Sequence, residues 1–259
     1  MADSADVVQF EDTGTADHLW WLVDAGAGNV KIQNVNSGKV LGVTGMSTAD
    51  SAPVVQFADT GTADHLWQLL DSGTGWFRIS NVNSGKVLGV SGMSTADSAQ
   101  VVQFADSGTA DHLWKLIPHN PVKILNLNSG KVLGVSGMSM ADSADVVQFA
   151  DTGTPDHLWV FLPNSDGSFR ISNVLSGLVL AVAGMSTAGS ADVVQFDDNG
   201  TPDHNWIMRV APGAGAVIRF QNKNSGLVLG VSGMSTADSA QVVQFADNGT
   251  ADHNWQLIV

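Results

Sequence analysis

The sequence predicts an all-β protein assembled from a four-stranded repeat of about 47 residues, and three observations predict it. Trp20, Trp67, Trp114, Trp159, Trp206 and Trp255 each close a DHLW or DHNW, at spacings of 47, 47, 45, 47 and 49 residues. Phe10, Phe57, Phe104, Phe149, Phe196 and Phe245 each close VVQF in the same rhythm. The start of the unit recurs five times: IQNVNSGKVLGVTGMS (32–47), ISNVNSGKVLGVSGMS (79–94), ILNLNSGKVLGVSGMS (124–139), ISNVLSGLVLAVAGMS (171–186) and FQNKNSGLVLGVSGMS (220–235). The chain therefore reads as five whole repeats and one half, and no stretch shows helical periodicity.

Within the repeat at 76–117 each element follows from its residues. WFRIS alternates apolar and polar side chains as a half-buried strand does, and the Asn and Gly of NVNSG make a turn. KVLGV is a second strand, SGMSTADSA a loop, VVQF a third strand and LWKLI a fourth. A large aromatic at one place in every repeat is what a pseudosymmetric core requires, so the six tryptophans are assigned to the core. Strand alternation places Val55 and Phe57 on one face and Val54 and Gln56 on the other, with Gln56 turned to solvent or a polar pocket. This leaves two readings for Phe57, a core residue or a platform for a ligand.

Two higher-order arrangements fit the period: a β-propeller with one repeat per blade, and a β-trefoil with repeats in threes. Trp20 to Trp159 and Trp67 to Trp206 are both 139 residues apart, and Trp114 to Trp255 is 141, so one half of the chain matches the other. The shorter 45-residue spacing coincides with IPHNPVKI at 117–124, which reads as a linker. The expectation is a first trefoil at 1–117, lacking the leading strand pair of its first repeat, and a second, complete one at 118–259. The opening MADSADVVQFEDTGTADHLW matches 140–159 and should form the third and fourth strands of the first trefoil. Its gap is expected to be filled by another copy of the chain or by upstream sequence, a route to self-association.

Composition limits the partners. Eleven Lys and Arg against 25 Asp and Glu give a net charge of −14, which repels phosphate backbones and anionic lipid. No nucleic acid partner and no membrane insertion are expected, and no run approaches the ~20 apolar residues of a membrane span. The absence of cysteine rules out disulfides and thiolate metal sites and leaves the compartment open. No signal peptide is visible in the first thirty residues.

At NxNSGKVLGV, VVQF and DHLW the repeat resembles the ricin-type (R-type) lectin family, over essentially the whole chain. The resemblance implies the β-trefoil, three four-stranded units about a pseudo-threefold axis. It also implies carbohydrate binding, an extracellular setting and a shallow sugar pocket on each unit. By position, the family's third-strand Gln falls on Gln9, Gln56, Gln103, Gln148, Gln195 and Gln244. Its Asn falls on Asp64, Asp111, Asp156, Asp203 and Asp252, and the Gln of its Gln-x-Trp ending on His65, His112, His157, His204 and His253. Its stacking aromatic falls on Phe57, Phe104, Phe149 and Phe245, or on Ala58 if the glutamines are aligned. The second-strand Asp of the family is replaced by Gly42, Gly89, Gly134, Ala181 and Gly230, so galactose-type recognition does not carry over.

Each of these residues has a plainer reading beside the functional one. The Asp of DHxW can close a turn on backbone amides or accept a pair of sugar hydroxyls, and the His can orient hydroxyls or bond a carbonyl. Carboxylates five apart in DTGTAD and DNGTPD suggest calcium, but the loops lack the denser ladder of an EF-hand. One repeat also supplies too few ligands for zinc, so no metal and no cofactor is expected. Six near-identical constellations favour repeated weak binding over one active site, and His119, Trp21 and Trp76 form no catalytic set. The reading is a non-catalytic multivalent lectin for glycans on polysaccharide or glycoprotein. Of the complete repeats, the one at 160–206 is the least secure binder, with Ala181, Gly189 and no Lys in its SG turn. Its rivals are a protein-interaction scaffold with degenerate sugar sites and the glycan-targeting module of a larger enzyme.

Overall fold

The structure is a computed structural model describing residues 3–119, 121–211 and 213–258. Among these residues it is all β, with 22 strands and eleven single turns of 3-10 helix. No helix is long and apolar enough to cross a membrane. Two compact units are present. One comprises Met1–Ser72, Trp76–Leu116 and Pro212–Ala216, the other Gly73–Gly75, Ile117–Ala211 and Val217–Val259.

The second unit shows the repeat closed on itself. In each repeat the second and third strands form an antiparallel pair, as where Val132–Val135 meets Val146–Phe149 with Leu133 opposite Gln148 and Gly134 opposite Val147. The fourth strand of one repeat pairs with the first strand of the next: Trp159–Pro163 with Phe169–Asn173, and Trp206–Val210 with Ile218–Asn222. The last strand, Trp255–Ile258, returns to the first, Lys123–Asn126, and closes the ring of three repeats. This is the β-trefoil, and its topology has no place for the blades of the propeller alternative.

Unit 1 follows the same scheme with ten strands instead of twelve. Its opening residues form the short strands Ala5–Asp6 and Val8–Gln9, then the long strand Trp20–Gly26. The fourth strand expected at LWKLI does not form, since Trp114 makes only an isolated bridge to Phe77. Its counterpart Trp255–Ile258 is a strand because Lys123–Asn126 lies beside it. A strand is a property of a pair, which the apolar pattern of LWKLI alone does not reveal.

The core forms where the tryptophans converge. Trp67, Trp159, Trp206 and Trp255 are wholly buried, and each indole N–H donates to the second-strand carbonyl of Leu41, Leu133, Leu180 or Leu229 at 2.9–3.1 Å. The polar end of each indole is thereby satisfied while the ring fills the centre. The second strands, such as Val40–Val43, are buried at all four positions. Third strands are likewise buried on both faces: Val101, Val102 and Gln103 are all inside, and the chain surfaces only at Phe104. Strict alternation, which placed Phe57 with Val55, assumed one wet face and does not hold here.

Candidate functional site

The second repeat builds a small pocket from three stretches whose residues recur along the chain. The 3-10 turn Ala63–His65 supplies Asp64 and His65, the end of the third strand supplies Phe57, and the turn Thr44–Met46 supplies Met46. The 3-10 turn is held from behind by Asn81 of the next repeat, whose Nδ2 donates to the Asp64 carbonyl at 2.8 Å. Asn126, Asn173 and Asn222 do the same for Asp252, Asp156 and Asp203. The Oδ1 of Asn81 accepts from the amides of Asn83 and Ser84, so one buried amide fixes both its own turn and the neighbouring DHxW. Sequence reasoning read these asparagines only as turn formers; their presence at the head of every NxxSG was the available signal.

Gly42 explains why the second strand carries no carboxylate. A Cβ built on it would lie 2.6 Å from Cδ2 and 2.9 Å from Nε2 of His65, and 3.5 Å from Asp64 Oδ2. Gly89, Gly134 and Gly230 stand in the same relation to His112, His157 and His253. The imidazole therefore occupies the space a second-strand side chain would need, and the carboxylate comes from the 3-10 turn instead. Asp64 and His65 are each 3 % exposed, with His65 Nε2 3.5 Å from Asp64 Oδ2. The Thr60 amide donates to His65 Nδ1 at 3.4 Å, which puts the proton on Nε2, facing the carboxylate. In the repeats of His112 and His204, Nδ1 instead faces Asp106 or Asp198 Oδ1 at 3.4 Å.

The other oxygen of the carboxylate has no partner. Oδ1 of Asp64, Asp111, Asp156, Asp203 and Asp252 is buried in every case without a hydrogen bond. Burying such an acceptor unpaired costs about 1–3 kcal/mol, more when it is charged, so its recurrence in five repeats calls for a cause. Beside it the phenylalanine lies half exposed against the histidine ring. Centroids are 6.0 Å apart for Phe57 and His65, 6.4 Å for Phe104 and His112, 6.4 Å for Phe149 and His157, and 6.1 Å for Phe196 and His204. Of the two readings of this residue the surface position is the one observed, and Phe245 is likewise half buried.

The glutamines are corrected. Gln103 is fully buried; its Nε2 donates to the carbonyls of Ser47 (2.8 Å) and Ala49 (3.0 Å), and its Oε1 accepts from Ser84 Oγ (2.7 Å). Gln148, Gln195 and Gln244 repeat the arrangement with Ser129, Ser176 and Ser225, and Gln56 accepts from Ser37 Oγ at 2.6 Å. Of the two places expected for this amide, solvent or a polar pocket, it takes the second, tying the loop of the preceding repeat to the SG turn of its own. It is not available to a sugar.

The carboxylates five apart do not converge on a shared point. Asp59 is engaged by Lys31 Nζ at 2.6 Å, and its pKa is held below the ordinary carboxylate value by that bond first and by the Gly61 amide second. The imidazole of His65 stands between Asp59 and Asp64. No group of three or more His, Cys, Asp or Glu suited to a metal occurs among the described residues.

The rim also holds a residue the sequence analysis overlooked. Met46 follows Gly45 in the left-handed region, with φ of 54° and 60°, and is 53 % exposed at the pocket mouth. Met93, Met138, Met185 and Met234 share the conformation, with φ between 52° and 53°. A non-glycine residue there costs of order 1–3 kcal/mol, and the strain recurs five times at the same position of the repeat.

Fold and site together define a β-trefoil repeat protein of the lectin type. The family model described as ricin-type beta-trefoil lectin domain-like matches residues 1–57, 63–149, 155–245 and 202–258. The chain belongs to that family, and the membership supports a carbohydrate-binding role. Among solved structures it is similar to ThreeFoil, a designed threefold-symmetric protein, at 29 % identity and TM-score 0.52, over 54 % of this chain and 98 % of that one. It is also similar to an exo-β-1,3-galactanase from Clostridium thermocellum at 19 % identity and TM-score 0.52, over 92 % of this chain and 56 % of the enzyme, a likeness of fold alone. A lectin of Macrolepiota procera, solved with lactose, aligns at 17 % identity and TM-score 0.48, over 56 % and 98 % of the two chains. No curated protein matches.

Proposed function

We propose that the protein is a non-catalytic, multivalent lectin, organised as two trefoils over 1–117 and 118–259, that binds glycans through the repeat pockets. The observation that carries this reading is the unpartnered buried carboxylate oxygen of Asp64 and its four counterparts beside a half-exposed phenylalanine. A sugar hydroxyl is the neutral donor such an oxygen lacks, and the phenylalanine and methionine offer apolar surface to the C–H face of a sugar ring. Asp and His orient the ligand, while the glutamines hold the loops. Single-site affinity is weak, and a many-copy ligand raises it by linkage, typically by factors of 100 to 10,000.

A glycan array, run with and without calcium, tests this directly: binding to at least one glycan class is expected, and silence on both arms overturns it. Changing Asp64, Asp111, Asp156, Asp203 and Asp252 together to Asn keeps the shape and removes the charge. Folding should persist while glycan binding falls at least tenfold.

One observation favours a second reading. The aspartates are almost wholly buried and the glutamines are occupied by the protein, as expected of a scaffold whose repeats keep their shape for protein contacts. In that case the Asn variants lose stability and no glycan is bound by the parent.

A further inference from the structure

We propose that the sugar pocket is shared between consecutive repeats, and that a serine of the preceding repeat is a ligand-contacting residue. The inference deepens the lectin reading and rests on it. Twelve residues other than glycine have a left-handed backbone among the described residues, and eleven of them fall at two positions of the repeat, the Met of GMS and the Ser of SAxVV. Elsewhere the chain gives this conformation to glycine, as at Gly45 directly before Met46, because glycine adopts it without strain. A strained residue kept where glycine would serve points to a use for its side chain. Met46 and Ser4 both line the pocket of Asp64 and His65.

Ser4 belongs to the repeat before that pocket, and two hydrogen bonds bring it there. Its amide donates to the Gln56 carbonyl at 3.0 Å, and Asp3 Oδ1 accepts from the Ala58 amide at 3.1 Å, so the loop grips the chain on either side of Phe57. The serine bond recurs from Ser51 to Gln103, Ser143 to Gln195, Ser190 to Gln244 and Ser239 to Gln148, each one residue before the phenylalanine of VVQF. These serines are exposed, and their hydroxyls bond no protein group among the described residues. A hydroxyl both donates and accepts, which the acceptor-only Asp64 carboxylate cannot do, so the two residues read different hydroxyls of one sugar. The cavity is about 200 Å³, short of the ~300–1,000 Å³ of drug-sized sites, and suits a single ring.

Gly189 shows what the sharing entails. Asp50, Asp142 and Asp238 repeat the grip of Asp3 by accepting from the amides of Ala105, Asp197 and Ala150 at 2.9 Å, but Gly189 stands in that place before Ser190 and offers the Ala246 amide no carboxylate. The pocket that this weakens is the one of Phe245 and Asp252 in the following repeat, since Ser190 is bound to Gln244. A Cβ on Gly189 meets nothing within 4 Å, so an aspartate fits there.

The test uses full-length proteins with four of the five pocket aspartates changed to Asn, titrated with the methyl glycosides of galactose, glucose, mannose and N-acetylglucosamine and followed by NMR. With Asp156 retained, Ser239→Ala and Ser239→Gly should each weaken binding by roughly fivefold, the loss of one hydrogen bond. The melting temperature should hold for Ala, which breaks no protein bond, and hold or rise for Gly, which relieves the strain. With Asp252 retained, Gly189→Asp should tighten binding by about twofold or more. Unchanged affinity in Ser239→Ala overturns the inference, as does a loss of affinity matched by a fall in melting temperature, which makes the serine structural. If no glycoside binds the parent, the inference falls alone where the glycan array is positive, and falls with the lectin reading where the array is silent.

Discussion

Gly134 and Ala181 occupy the same place in two repeats, and the pair shows how narrowly the pocket is built. A Cβ on Gly134 would lie 2.5 Å from His157 Cδ2, yet the repeat at 160–206 carries that Cβ on Ala181 with His204 still 2 % exposed. A small shift of the imidazole is therefore accessible, and Gly134→Ala should cost less than about 1 kcal/mol. Gly134→Asp, which restores the carboxylate of the wider family, should cost roughly 1–3 kcal/mol or more, because it overpacks the ring and sets a second charge beside Asp156. Urea denaturation of the two variants separates these outcomes. Met93 gives the opposite sign. Met93→Gly relieves the left-handed backbone, worth ~1–2 kcal/mol, against an unfolded-state entropy cost of ~0.5–1 kcal/mol. Stability should hold or rise slightly, and glycan affinity should fall if the thioether packs on the sugar; thermal melts and an array on the same variant check both.

At the scale of elements, the repeat is held by side chains that leave their own strand. Gln103 reaches the loop after the second strand of the preceding repeat, so Gln103→Ala orphans Ser47 O, Ala49 O and Ser84 Oγ together. About 2 kcal/mol or more of destabilisation follows, at ~0.5–1.5 kcal/mol for each of the three hydrogen bonds lost. Glycan binding at the pockets of unit 2 should be unchanged, a result that a ligand role for the glutamine does not give. The edge of unit 1 makes a parallel prediction. With no first strand beside them among the described residues, the amides of Leu116 and Ile117 should exchange with deuterium much faster than those of Leu257 and Ile258, read by hydrogen-exchange mass spectrometry.

Across the whole molecule, carboxylate–lysine pairs stitch one repeat to the next. Lys39 bonds Asp3, Lys86 bonds Asp50 and Lys131 bonds Asp238, and each carboxylate is held below its ordinary pKa by its lysine first and a backbone amide second. Because the folded values are depressed, the unfolded chain takes up protons first as acid is added. The contribution is complete at neutral pH and is lost as pH falls below about 4. The pairs are exposed and salt-screened, so each is small. The stability difference between the parent and a Lys39→Gln, Lys86→Gln, Lys131→Gln variant should therefore shrink in acid and in 1 M salt, measured by melts across pH.

The sequence by itself determined the period, the first three strands of the repeat, the β-trefoil class and the tryptophan core. Those features rest on local turn chemistry and on a pattern repeated often enough to exclude chance. Asp64, His65 and Phe57 were legible as candidates because the family motif falls on them in order, and the fold brings all three to one pocket. What the tertiary structure decided is where each polar group goes. Gln103 is buried because loop carbonyls of a neighbouring repeat come to meet it, Gly42 is glycine because an imidazole lies over it, and LWKLI is no strand because, beyond the bridge from Trp114 to Phe77, no strand pairs with it among the described residues. Each depends on a partner about 15 to 60 residues away or absent altogether, and a linear pattern carries no distance between such groups.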